Sequence, residues 1–219
     1  MIIKEGGYKM SKSFSDNNLQ CKTMTLTGQA RVSAVPNTVI IHLGVQTTGD
    51  NLVAIQSENA QKTQAILQAL QRMGITDVKT FQYSIDKLYD YEDGRQIDKG
   101  YSVRDILEIK TNNINIAGNI IDTSVNSGAN IVELISFDVS NREIYYQQAL
   151  NLAVLNAIQK AKSISMNLGI KTDPVPVHIT ENSSSPIQPY QTFQRELAST
   201  PIVPGNLQIE ALVTVEFIY

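Results

Sequence analysis

Two histidines, His42 and His178, and one cysteine, Cys21, are the imidazole and thiol groups this chain could bring to nucleophilic or soft-metal chemistry. Their spacing separates them. His42 and His178 sit in different strand-like segments, each opposite an apolar face made by Val39, Ile41, Leu43 and Val45 or by Val175, Val177 and Ile179. Cys21 precedes the first strand, so no Cys–His pair and no tetrahedral site is built, and a single cysteine forms no intrachain disulfide. Both histidines read as solvent-side or partly packed residues. No G-x-S-x-G, P-loop, G-x-G-x-x-G or H-E-x-x-H motif occurs. The acidic residues Asp90, Glu92 and Asp93 could attract a cation, but they lack the twelve-residue loop with a terminal bidentate glutamate and read as a solvated hairpin tip. Asn182-Ser183-Ser184 fits a glycosylation acceptor, a match read as chance without a secretory leader. The residues therefore point to no catalytic group, no cofactor and no metal, and the expected class is a non-enzymatic protein.

The residues that remain are aromatic. Tyr83, Tyr89, Tyr91 and Tyr101 cluster within one stretch, and Tyr190 and Phe193 lie in a later Pro-rich one. Tyrosine has an apolar body and a polar tip, which suits a surface with one dry and one wet side. These six are the candidate interaction surface; the alternative is that the tyrosines only cover the core.

Composition narrows the class. Hydrophobic residues make up 42% of 219, enough for a core, while charged residues make up 18% and Trp is absent. The net charge of -3 and the lack of a Lys/Arg cluster argue against a nucleic-acid binder. No run reaches the roughly 18 apolar residues of a membrane span. Residues 1–20, MIIKEGGYKMSKSFSDNNLQ, show no apolar run as long as about seven residues and no small-residue cleavage site. The expected location is cytoplasmic, or the cell envelope if a leader is missing from this sequence.

The elements that must position these residues follow from periodicity. Residues 1–21 read as a polar flexible arm, and 22–219 as one α+β domain. Thr23 to Val32 alternates with Met24, Leu26, Gly28, Ala30 and Val32 on one face. A second strand carries Val39 to Val45 and ends near Thr48. Asp50 is the expected N-cap of a helix over 51–73 closed by Gly74. A long hairpin follows, with Phe81, Tyr83 and Ile85 alternating, a turn at Glu92-Asp93-Gly94-Arg95, and a return through Tyr101, Val103, Leu107 and Ile109. Lys87 falls on the apolar side, which predicts a β-bulge there. Asn113 is expected to cap a short helix ending at Gly128, and a strand over 130–139 is interrupted by Glu133, which needs water or a partner. Ser140 and Glu143 form an expected capping box for a helix to Leu168, closed by Gly169. A strand over 175–180 contains Pro176, a long loop spans 181–205, and Leu207 to Phe217 alternates most clearly of all. The order is ββαββαβαββ: antiparallel sheets with three helices and a ferredoxin-like inner βαββαβ section.

Ala149, Ala153, Ala157, Ala161, Ser165 and Gly169 stand four apart. Successive members rotate by about 40° on a 3.6-residue helix, so they trace a winding ridge that permits close approach. Ordinary packing of helix on sheet is the favoured reading over a partner groove, with Leu152, Leu155, Ile158 and Ile164 expected to supply buried bulk beside it.

Together these features resemble a known family. Gly28 with Pro36-Asn37, Gly74-Ile75, Gly100-Tyr101, Gly128-Ala129-Asn130, the Ala149 to Gly169 helix and Pro201-Ile202-Val203-Pro204-Gly205, in that order, are similar to the SIMPL-domain family of YggE-like and periplasmic immunogenic proteins, over roughly residues 23–219. The resemblance implies an α+β fold often assembled into large ring or channel-like oligomers. It also implies loose links to oxidative-stress tolerance in bacteria and to kinase signalling in a mammalian relative, and it brings no established catalytic residues. The expected function is an oligomeric scaffold or binding protein whose contact elements are the hairpin 81–109 and the loop 181–205. The alternative is a small-molecule binder or unrecognised enzyme, with a site near Glu133 or His42 at the sheet face or between protomers.

Overall fold

The computed structural model describes residues 22–182 and 205–219, so the expected arm, most of the long loop, Cys21, Tyr190 and Phe193 lie outside the described residues. The elements are β1 (Thr23–Ala34), β2 (Thr38–Gly49), α1 (Leu52–Arg72), β3 (Val78–Glu92), β4 (Arg95–Thr111), α2 (Ala117–Asn126), β5 (Ile131–Asp138), α3 (Arg142–Leu168), β6 (His178–Glu181) and β7 (Leu207–Ile218). A 3-10 turn, Ile114–Ile116, leads into α2. The order is the ββαββαβαββ that periodicity predicts.

β3, β4, β2 and β5 form one sheet in that order, with every neighbouring pair antiparallel. This is the ferredoxin-like arrangement. It follows because the first strand of a βαββαβ unit, β2, is buried between the third and the fourth. β2 carries apolar side chains at Val39, Ile41, Leu43 and Val45, and these meet Leu107 and Ile109 of β4, Ile66 and Leu70 of α1, and Ile120 of α2 in one core. Burying each such side chain contributes about 1.5–3 kcal/mol. Asn59, also buried, donates from Nδ2 to the carbonyls of Val45 (3.0 Å) and Val103 (3.1 Å) and so ties α1 to two strands.

β1, β7 and β6 form the second sheet, and β1 pairs with β7 along its whole length. The small-residue ridge of α3 lies on it: Ala149, Ala153, Ala157, Ala161 and Ser165 are all buried, as packing of helix on sheet predicts. The flanking leucines do otherwise. Leu152 and Leu155 are exposed; Leu155 lies two residues from both Ala153 and Ala157, about 200° around the axis.

The ends of elements correct several expectations. Asn51, not Asp50, caps α1 by accepting from the Ala54 N–H at 3.1 Å. No capping box forms at α3, because Ser140 is engaged elsewhere: its N–H donates to Asn37 Oδ1 (2.8 Å) and its Oγ accepts from Asn37 Nδ2 (3.0 Å), which joins the β1–β2 connection to the start of α3. Asn113 begins the 3-10 turn without a side-chain cap. β6 starts later than predicted, since Pro176 has no N–H for a ladder and pairing with β7 begins where the Val177 N–H reaches Glu216 O at 2.9 Å.

Candidate functional site

β2 accompanies β4 only from Thr111 to Tyr101, whereas β3 continues to the Glu92–Arg95 pair. Residues 88–100 therefore form a two-stranded ribbon beyond the sheet. Asp93 (φ 49°) and Gly94 (φ 75°) are both left-handed, which is the tight turn whose twist matches flanking strands.

Two bulges set which way the ribbon's side chains point. Lys87 pairs with Tyr101 and Tyr89 with Asp98, so the expected bulge is present but its extra residue lies on β4, not β3. Gly100 supplies it with φ +82°, and its N–H donates to Asp98 Oδ1 at 2.9 Å. β3 keeps its alternation through this point. Tyr83, Ile85, Lys87, Tyr89 and Tyr91 consequently share the face that bears the helices, with Tyr101 opposite Lys87.

The second bulge corrects an expectation. Thr80 pairs with Leu107 and Gln82 with Ile106, so Phe81 is the extra residue. It does not share a face with Tyr83; its ring stacks on His42 on the other side of the sheet, centroids 4.0 Å apart.

The tyrosine face is exposed. Tyr83 is 49%, Tyr89 50% and Tyr91 70% accessible, while Tyr101 is half-buried. Tyr83 OH accepts from Gln56 Nε2 at 3.3 Å, tying the root of the ribbon to α1. Lys87 organises the centre: its Nζ lies 2.8 Å from Asp98 Oδ2, 5.6 Å from the Tyr89 ring centroid and 5.3 Å from that of Tyr101. The hydrogen bond to Asp98 raises the Lys87 ammonium above its usual range. The same bond, aided by the Gly100 N–H, lowers the Asp98 carboxyl. The structure thus gathers Tyr89 and Tyr101 around one cation and leaves Tyr91 nearer the tip.

On the opposite face, His42 is only 8% exposed and its Nε2 lies 3.0 Å from Glu108 Oε2. Glu108 also meets Lys79 Nζ at 2.9 Å, and these contacts, Lys79 foremost, hold its carboxyl below the usual range. Glu133 finds the partner it needs in Arg104. Leu134 pairs with His42 and Val132 with Leu43, so Glu133 is itself a bulge residue. His178 lies on β6, in the other sheet and exposed. Among the described residues no group of three or more His, Cys, Asp or Glu side chains could hold a metal ion, and no helix is long and apolar enough to cross a membrane.

A family profile matches residues 24–217, nearly the whole chain. The chain belongs to the SIMPL family, described as "Protein of unknown function (DUF541)". This SIMPL chain is 27% identical to the 26 kDa periplasmic immunogenic protein of Brucella melitensis, over 99% of its own length and 93% of the relative's. It is 23% identical to the uncharacterized protein YggE of Escherichia coli K12, over 74% of its own length and 68% of that protein's. The resemblance drawn from spaced glycines and alanines is therefore correct at the level of family. What sequence reading missed in this SIMPL chain is the Phe81–His42–Glu108–Lys79 cluster. Alternation alone puts Phe81 with Tyr83, and only the bulge turns it over; the one signal available was His42 on the face opposite β2's core residues.

Proposed function

We propose that this SIMPL protein is a non-enzymatic oligomeric scaffold or binding protein that acts through its β3–β4 hairpin. The supporting observation is the ribbon 88–100, two strands with no third alongside among the described residues, whose β3 strand carries exposed Tyr89 and Tyr91. A two-stranded ribbon is marginal alone in water, and exposed aromatics are typical of the centres of protein interfaces. Light scattering tests the reading. A mass that is a multiple of 24.2 kDa is expected, and a 24.2 kDa monomer at every concentration would overturn it.

A second reading is a small-molecule binder on the opposite sheet face, favoured by the half-exposed Phe81 ring over His42 and Glu108. A fragment screen by ligand-observed NMR, repeated on Phe81→Ala, tests it; an absence of hits, or hits indifferent to the substitution, counts against it. We further propose a cell-envelope location over a cytoplasmic one, because the relative aligned over 99% of this chain is named periplasmic. Fractionation of the native cells checks this.

A further inference from the structure

β3 is the edge of its sheet, pairs only with β4 among the described strands, and is 15 residues long without a proline. Its outward N–H and C=O groups form a row able to template another strand. The two bulges divide that row. Between them, Gln82 to Lys87 pair in unbroken register with Ile106 to Tyr101, so this stretch is regular and presents its outward groups at even spacing. Tyr83 and Ile85 within it are exposed apolar side chains.

We propose that this stretch pairs antiparallel with the same stretch of a second copy, about a two-fold axis at Ile85. The inference rests on the hairpin being a contact element and names its partner and register. A two-fold on residue 85 sets Ile85 against Ile85 of the second copy, Ser84 against Asp86, and Tyr83 against Lys87. Every one of these pairs is compatible: two aliphatic side chains, a hydroxyl beside a carboxylate, and an ammonium beside a tyrosine ring. Ser84 Oγ already donates to Asp86 Oδ2 within one chain at 3.0 Å, so the same chemistry recurs across the axis.

Neighbouring registers fail on charge or on shape. An axis at residue 86 sets Asp86 against itself, one at 87 sets Lys87 against itself, and one at 83 sets Lys79 against Lys87. An axis at 84 brings the bulged Phe81 against Lys87, three residues from the axis, whereas the axis at 85 moves that bulge one residue further out, opposite Tyr89 and beyond the regular pairs. A residue-centred axis also keeps the helices of both copies on one face of a continuous eight-stranded sheet, since residues directly opposite in an antiparallel pair share a face. The pairing is isologous, so it closes as a dimer and leaves the rest of the surface for higher assembly.

The test uses the full chain with Cys21→Ser, into which single cysteines are placed. Under mild oxidation Ile85→Cys is expected to form a disulfide-linked dimer at least ten times faster than Ser84→Cys or the remote control Lys171→Cys. A mixture of Tyr83→Cys and Lys87→Cys is expected to give mainly the mixed dimer. In the unsubstituted chain, amide exchange over 82–87 is expected to slow as concentration rises. Two results overturn the register separately from the reading beneath it: light scattering that shows an oligomer while Ile85→Cys crosslinks no faster than Lys171→Cys, or concentration-independent exchange at 82–87 in that oligomer. A monomer at all concentrations removes both.

Discussion

Gly28 of β1 lies directly beneath Ala153 of α3: a Cβ at position 28 would overlap the Ala153 carbonyl oxygen and reach the Ala157 Cβ at 3.0 Å. At this point the helix backbone thus meets β1 directly, with no side chain from position 28 between them. Gly28→Ala must push α3 away from β1. Overpacking of this kind costs about 1–3 kcal/mol, and in a chain of this size each kcal/mol lowers Tm by about 2–4 °C. Calorimetry is expected to show a fall of at least a few degrees for Gly28→Ala. An unchanged Tm would mean that the ridge tolerates separation.

Replacing Tyr89 and Tyr91 together by Ser removes two exposed rings and little packing. Such surface changes usually alter stability by no more than about 0.5 kcal/mol. Buried aromatic anchors, by contrast, each contribute about 2 kcal/mol or more to an interface. The double variant should keep its Tm while its self-association weakens by one order of magnitude or more in sedimentation equilibrium. Equal loss of stability and association would instead make the tyrosines structural.

Much of this fold was legible because its signals were local. The alternation of β7 and the ridge Ala149 to Ser165 each report burial of one face, and burial of that face is what the structure realises. The hairpin was legible as a hairpin, since Asp93-Gly94 supplies the left-handed pair its turn needs. The faces of β3 were not. A bulge shifts the side chains around it by one residue; Gly100 advertises the one opposite Leu88, but nothing in the residue type of Phe81 advertises the other. The capping box at Ser140 was overridden for a different reason: Asn37, 103 residues away, holds both polar groups of that serine. The candidate site was therefore half legible, its tyrosines but not its opposite face.

Asp105 of β4 gives a test of pH dependence. It pairs with Val45 on the helix-bearing face, its Oδ1 is buried without a hydrogen-bond partner, and burial raises its carboxyl above the usual range. The Thr63 hydroxyl nearby opposes this shift, although its own Oγ1 also lacks a hydrogen bond of normal geometry. Because the folded value is the higher one, the contribution of Asp105 is fully present below the unfolded value of about 3.9 and is lost as pH rises through the folded value. At pH 7 the ionised carboxylate is a cost. Asp105→Asn should therefore raise the urea midpoint at pH 7 and change it little near pH 4. A variant less stable at both values would show that the carboxylate is needed.

Glu108 has the opposite sign. Its carboxyl is lowered by Lys79 first and by His42 after, so its contribution is present above the unfolded value of about 4.3 and is lost as pH falls through the folded one. Glu108→Gln keeps the shape and removes the charge. It should lower the urea midpoint at pH 7, with the gap to the parent closing as the solution is acidified below pH 4. The same variant leaves His42 stacked on Phe81 but without its anionic partner. A midpoint gap that stays constant from pH 7 to pH 3 would show that the cluster is held by packing and not by charge.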